Sequence, residues 1–410
     1  MRILFLTYHF PTPSEPGAGR PWETARTLRE LGHEPVVITA GTHYMTGEDV
    51  RKHRKLLSVE EIDGFRVIKT FAFAGYRRSI WRRLCNYLSF ALLALVAGFR
   101  ERKCDAVLMA TDPIFIGPVG LLLSVLRRCR LILDERDLYP DTAIALGYLT
   151  SRPAIAMLEK WQNALRRRAV MIISATPGIR RILIEKGISS DKIFVFPNVR
   201  AFSANGVADA PEDWLRIAKA ASIARWREQF VVLYIGKFGQ ANDLDTIMRA
   251  ARRLNGLFPG IRFALIGDGE KLDDCRRFID EQHMNNVDLL GPLSWEATRR
   301  CVETASAGIQ CFVNNPFWRC ALSTKIFDYM LASKPVVFAG EGDSADLIAA
   351  AHAGIVVDPE NDAALAEAII GLSQDPARCT MLGRQGRQYV ESKFSRERQV
   401  ETMRKALSAA

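Results

Sequence analysis

A chain of 410 residues exceeds what one ordinary core organises and points to two domains. Its composition, 48% hydrophobic and 25% charged, is that of a globular protein and excludes long disorder. The net charge of +10 is concentrated, because residues 51–103 hold 13 Lys or Arg against 4 Asp or Glu; such a field seeks anionic lipid, a phosphorylated substrate or nucleic acid.

In chain order, apolar β-rich runs fall at 2–7, 34–39, 65–71, 105–110, 130–134, 170–174 and 192–196, with helical patterns between several of them, such as 21–31 and 155–167. A second set follows at 230–235, 261–266, 286–290, 307–312, 335–338 and 354–357, again separated by helical patterns. Continuous apolar runs suit a parallel sheet covered on both faces, and alternating strand and helix imply right-handed crossovers. The expected fold is α/β: two Rossmann-like, doubly wound domains facing across a cleft. The expected division is a first domain over 1–200, a linker and connecting helix over 201–229, and a second domain over 230–390. A C-terminal helix over 391–410 is expected to pack back on the first domain.

The eight cysteines form no C-x-x-C pair and fit reduced thiols in a cytoplasm. Residues 1–6 already read as a strand, so no leader peptide is expected. The six histidines have no metal-ligand spacing, and no Walker A, G-x-S-x-G or H-E-x-x-H pattern occurs. No metal and no cofactor are expected.

Gly17, Gly19 and Arg20 stand before Pro21 at a helix start, where free amides, the helix dipole and a guanidinium would hold an anion. A plain turn explains the glycines equally well. The second half repeats the device at Gly236-Lys237, after an apolar strand, and at Gly267-Asp268-Gly269 after the next. In Ser323-Thr324-Lys325-Ile326-Phe327-Asp328, Ser323 or Thr324 would cap a helix. Lys325 would oppose its dipole unless an anion binds, and Asp328 would share its face, suited to ribose hydroxyls. A surface ion pair between Lys325 and Asp328 is the plainer reading. Asp243-Leu244-Asp245 mimics a metal motif but opens a helix, so Asp243 reads as a cap.

These motifs resemble a known family. The run 323–335, the run Phe263-Ala264-Leu265-Ile266-Gly267-Asp268-Gly269 and the run Gly354-Ile355-Val356-Val357-Asp358-Pro359 resemble the donor domain of retaining GT-B glycosyltransferases of family 4. Arg136-Asp137-Leu138-Tyr139-Pro140-Asp141 resembles a segment of members similar to bacterial surface-polysaccharide amino-deoxysugar transferases. The resemblance implies transfer from a nucleotide diphosphate sugar, UDP before other bases, to a polyprenyl-diphosphate-linked acceptor, with retention. Lys237 and Lys325 are the expected catalytic cations on the leaving diphosphate. Arg136 stands where the family often has a sugar-contacting histidine. Cys320 and Asp328 stand where it has paired glutamates.

Basic and aromatic residues flank the apolar runs 84–99 and 113–126, as for an anionic membrane surface; two core helices with solvated ends fit as well. The expected location is peripheral, on the cytoplasmic face of the inner membrane. A sugar-nucleotide epimerase of the same fold and a non-enzymatic nucleotide-binding module are competing readings. Nucleic acid is disfavoured, because the basic stretch lacks aromatic residues interleaved for bases.

Overall fold

The computed structural model describes residues 1–11, 19–43, 47–52, 55–73, 80–199 and 225–409. The chain forms two compact units, Met1–Asn198 with Arg396–Ala410, and Val199–Ser395. The linker expected at 201–210 and most of the helix expected over 211–229 lie outside the described residues.

The first unit holds an eight-stranded sheet, built from β1 (Arg2–Leu6), β2 (Glu34–Ala40), β3 (Leu57–Ile62), β4 (Phe65–Thr70), β5 (Ala106–Ala110), β6 (Arg130–Glu135), β7 (Met171–Ser174) and β8 (Ile193–Val195). Their spatial order is β3-β4-β2-β1-β5-β6-β7-β8, and only the β3–β4 pair is antiparallel. The helices are α1 (Arg20–Glu30), α2 (Ile80–Arg100), α3 (Ile116–Leu126), α4 (Asp141–Ala145), α5 (Arg152–Arg168) and α6 (Pro177–Glu185).

Side chains alternate between the faces of each strand. Ile3 and Phe5 meet Trp22, Ala25 and Leu28 of α1 together with Met403 and Ala406 of the C-terminal helix (Arg396–Ala409). Arg396 fastens that helix to α1 through Glu23 and Glu30, at 3.1 and 3.0 Å. On the other face α2 packs on β2 and β4, and α3 packs on β5. Strand β3 escaped the sequence reading because it is a half-exposed edge. Its signal was the Asp63-Gly64 turn, whose φ values of 48° and 77° let Ile62 pair with Phe65 across a two-residue loop.

The second unit holds a six-stranded parallel sheet of β9 (Phe230–Ile235), β10 (Ile261–Ile266), β11 (Val287–Gly291), β12 (Ala307–Cys311), β13 (Val336–Ala339) and β14 (Gly354–Val357), in the order β11-β10-β9-β12-β13-β14. Val231, Leu233 and Ile235 face α9 (Trp295–Thr304), α10 (Thr324–Leu331) and α11 (Asp343–Ala350). Val232 and Tyr234 face α7 (Leu244–Leu254) and α12 (Asp362–Gln374). Both sheets are doubly wound. Each has a switch point where the strand order reverses, between β1 and β5 in the first and between β9 and β12 in the second. Ligands of open parallel sheets bind outside the carboxyl ends of strands at such points.

One expectation is corrected within the first unit. Arg20 does not face an anion. Its side chain is 2% exposed, and Nε and Nη2 donate to Asp134 Oδ1 at 2.8 and 2.6 Å, with a third bond from Nη1 to the Phe196 carbonyl. The arginine ties α1 to β6, a contact 114 residues apart that no local motif reveals. Removing one partner of a buried pair strands the other charge. Arg20→Ala is therefore expected to lower the unfolding free energy by about 3–5 kcal/mol, read from urea denaturation; a loss below about 1 kcal/mol would contradict this pairing.

Candidate functional site

At the switch point of the second unit the chain leaves β9 through Gly236 and Lys237. Gly236 has φ 125°, and a Cβ there would lie 2.5 Å from Lys325 Cε, so a side chain at 236 would block the arm of that lysine. Gly267 and Gly269 serve the neighbouring loop. A Cβ on Gly267 would fall 1.8 Å from the Gly236 carbonyl oxygen, and one on Gly269 would fall 2.5 Å from that of Phe238. Their amides are committed internally: Gly236 N–H donates to Ile266 O at 2.8 Å, Gly267 N–H to Gly291 O at 3.0 Å, and Gly269 N–H to Asp268 Oδ1 at 2.8 Å. In this structure the three amides donate within the protein. The glycines let two loops approach closely and leave room for Lys325.

Lys325 lies in the first turn of α10. Its Nζ donates to Gln310 Oε1 at 2.9 Å, Tyr234 Oη at 3.0 Å and Asn242 Oδ1 at 3.2 Å. The ion pair with Asp328 does not form; all three partners are neutral. Burial pushes the Lys325 ammonium down to about 7, and the Asp328 carboxylate opposes that shift.

The side chains that hold Lys325 also hold the loop of Lys237. Tyr234 Oη donates to the Lys237 carbonyl at 2.8 Å, and Asn242 Nδ2 donates to the same oxygen at 3.0 Å. Gln310, itself fully buried, donates to Asn242 Oδ1 at 2.9 Å. One neutral network thus places a half-buried ammonium beside a loop whose own lysine is exposed. Tyr234 and Gln310 were missed as site residues. Their signal was a lone polar group near the end of an otherwise apolar strand.

Ser323 is the N-cap of α10; its N–H receives support from Ser344 Oγ at 3.1 Å, and Thr324 is exposed in the first turn. Ile326 N–H donates to the Ser323 carbonyl at 3.2 Å, and the amides of Thr324 and Lys325 precede any intrahelical acceptor, so this end remains suited to an anion. Asp328 is buried one turn further on. Cys320 is buried, and its thiol donates to the Phe317 carbonyl at 3.0 Å. Asp243 caps α7 by accepting from Thr246 N–H at 3.0 Å, and Asp245 pairs with Lys271 at 2.6 Å.

In the first unit, Gly19 is the N-cap of α1, and Gly17 lies outside the described residues. Arg136 follows β6, and its Nε donates to Asp134 Oδ2 at 2.8 Å, so Asp134 bridges it to Arg20. The next carboxylate, Glu135, is held by Arg166 at 2.7 Å and by Thr111 Oγ1 at 3.0 Å. Across the switch point, Asp112 follows β5.

Two doubly wound, Rossmann-like sheets are the architecture of GT-B glycosyltransferases. Residues 216–389 match the family model described as glycosyl transferases group 1, and residues 18–199 match that of the glycosyl transferase 4-like domain. Each of the two units thus carries one glycosyl transferase domain, the 4-like domain in the first and the group 1 domain in the second. It is similar to WcaI of Escherichia coli (strain K12), named as a colanic acid biosynthesis glycosyl transferase, at 24% identity over 305 residues, 72% of this chain and 73% of the relative. Among solved structures it resembles HepE of Anabaena in complex with UDP-glucose, with a TM-score of 0.70 and 16% identity over 100% of both chains. It also resembles sucrose-phosphate synthase of Thermosynechococcus elongatus, with a TM-score of 0.73 and 17% identity over 100% of both chains.

A lysine held below its ordinary range costs the fold stability while it is charged. The unfolded chain binds the extra proton between about 7 and 10.5, so that cost fades as pH rises through this window. Lys325→Met is therefore expected to melt higher than wild type at pH 6, with the gap closing by pH 10.5. A gap independent of pH, read by thermal denaturation, would contradict the buried ammonium.

Proposed function

We propose that the protein transfers a sugar from a UDP-linked donor, with retention, to a polyprenyl-diphosphate-linked saccharide during assembly of a bacterial surface polysaccharide. The observation that carries this reading is the network joining Lys325 to the Lys237 loop through Tyr234 and Asn242. A half-buried ammonium whose hydrogen-bond partners are all neutral gains from a bound polyanion. As the glycosyl–phosphate bond breaks, charge grows on the leaving diphosphate, and fixed cations stabilise that change more than they stabilise the bound donor. The two lysines supply this charge, so turnover is expected without added divalent ion. Arg136 is the candidate for sugar contact from the first unit, and the 136–141 segment favours an N-acetylated amino-deoxysugar. UDP is favoured because similar structures hold UDP-glucose.

The place of work is the membrane surface on the cytoplasmic side. Trp81, Leu88, Leu92 and Phe99 of α2 are exposed, Trp81 by 76%, as are Leu122, Val125 and Leu126 of α3. Arg82, Arg83, Arg100, Arg102 and Lys103 flank the first row, and Arg127, Arg128 and Arg130 follow the second. The stretch Trp81–Arg100 is long and apolar enough to cross a bilayer by length and composition alone. Phe90, Ala94 and Ala97 are nevertheless buried within the fold, which favours a helix lying in the headgroup layer.

Thermal-shift screening against UDP-, GDP-, ADP- and dTDP-sugars without metal is expected to single out UDP. Lys237→Ala and Lys325→Ala are each expected to lower kcat/KM roughly 10²–10³-fold; wild-type rates in both would discard the assignment. For the membrane, phosphatidylglycerol vesicles should co-sediment the protein at low salt and phosphatidylcholine vesicles should not. Near such a surface each basic residue contributes roughly 1 kcal/mol, so Arg82→Gln with Arg83→Gln should weaken binding roughly 30-fold. No sedimentation with either lipid would refute the surface reading.

A further inference from the structure

Two cysteines of the first unit stand where the chain enters neighbouring strands. Cys104 precedes β5 and Cys129 precedes β6, and Ala106 and Arg130 are register partners in that parallel pair. The two sulfurs lie 3.5 Å apart. The backbone around them is already fastened. Arg127, at the C-cap of α3, donates to the carbonyls of Phe99, Glu101 and Arg102 at 3.0, 2.9 and 2.6 Å, which ties the end of α3 to the end of α2. Arg130 N–H donates to the Asp105 carbonyl at 3.1 Å, and Cys129 N–H donates to that of Ser124 at 3.0 Å. Bonded sulfurs lie about 2.05 Å apart, so about 1.5 Å of approach by the two side chains closes a disulfide with both helices in place.

We propose that Cys104 and Cys129 form a redox modification site, a pair of thiols that closes to a reversible disulfide when the protein meets hydrogen peroxide. Cys129 is half-buried and meets the oxidant, whereas Cys104 is 2% exposed and completes the bond from inside. With Cys104 ionised, its thiolate takes the proton of the Cys129 thiol. The Cys129 sulfur attacks one peroxide oxygen, the O–O bond breaks, and the departing hydroxide recovers that proton from Cys104 to leave as water. The Cys104 thiolate then attacks the sulfur of the Cys129 sulfenic acid. The S–S bond forms, the S–O bond breaks, and the second hydroxide takes a proton from solvent. Two thiol sulfurs are oxidised to one disulfide, and one peroxide is reduced to two waters.

The charge around the pair suits that chemistry. The hydrogen bond from Cys129 holds the Cys104 thiol below its ordinary range; burial opposes that fall, and the Arg127 guanidinium adds to it. The same shared proton, together with burial, pushes the Cys129 thiol up, so the pair loses its first proton from Cys104. Arg102, Lys103, Arg128 and Arg130 are exposed on the same two segments and add positive charge, which favours a thiolate. In the second unit, by contrast, burial pushes the thiols of Cys275, Cys311 and Cys379 up.

The test treats the full, reduced chain with hydrogen peroxide at neutral pH, then unfolds it and alkylates the remaining thiols with N-ethylmaleimide. Wild type is expected to lose two of its eight free thiols first, and peptide mapping by mass spectrometry should find Cys104 and Cys129 cross-linked to each other. Dithiothreitol should restore all eight. Cys85 is exposed and serves as the reference thiol, which the pair should outpace roughly tenfold. Cys104→Ser should give no cross-link and leave Cys129 as a sulfenic acid that dimedone traps. Three outcomes on wild type would overturn the proposal: both thiols still alkylated after Cys85 has been oxidised, a cross-link of either to another cysteine, or a loss that dithiothreitol does not reverse. Cross-linking at the same rate in the urea-unfolded chain would overturn it too, because the bond would then owe nothing to the fold.

Discussion

The second unit is organised around an ammonium group drawn part-way out of water without being given a carboxylate. Lys325 meets three neutral oxygens, from Tyr234, Asn242 and Gln310, which satisfy its hydrogens but not its charge. Hydrogen bonding lowers the cost of burial, while the missing counter-charge keeps attraction for an anion undiminished. The neighbouring sequence follows from this. Gly236 leaves space for the lysine arm, and Gly267 leaves space for the Gly236 carbonyl. Tyr329 packs over Gly308 and accepts from Ile235 N–H at 3.1 Å, which pins α10, and with it Lys325, to the end of β9.

The first unit solves the opposite problem. Asp134 and Glu135 are consecutive in β6, so their side chains leave opposite faces of the sheet. Each meets a buried arginine from the layer that covers its face, Arg20 from α1 and Arg166 from α5. These pairs close the sheet end electrostatically and bind it to both helical layers.

Most of the fold was legible because a parallel sheet demands uninterrupted apolar runs, and runs such as Phe230–Ile235 carry that demand in consecutive residues. β3 was not, because an edge strand exposes half its side chains and its turn was the stronger signal. Lys237 and Lys325 were legible from their positions after a strand and at a helix start. Tyr234 and Gln310 were not, since a single polar residue in an apolar strand acquires meaning only when strand order brings β9 and β12 side by side. The glycines misled for a related reason: a backbone needing close approach to another loop uses the same residue as one needing close approach to a phosphate. Arg20 misled because its partner is remote in sequence.

The C-terminal helix returns to the first unit after the whole of the second has intervened. Met403 and Ala406 share a core with Ile3, Phe5 and Trp22, although nearly four hundred residues separate them in the chain. The N-terminal sheet precedes the second unit in the chain, yet one of its faces is covered by residues that follow that unit. Until those residues have been made, Trp22 and Leu28 lack part of their cover, so the first core closes only after the second unit has been synthesised.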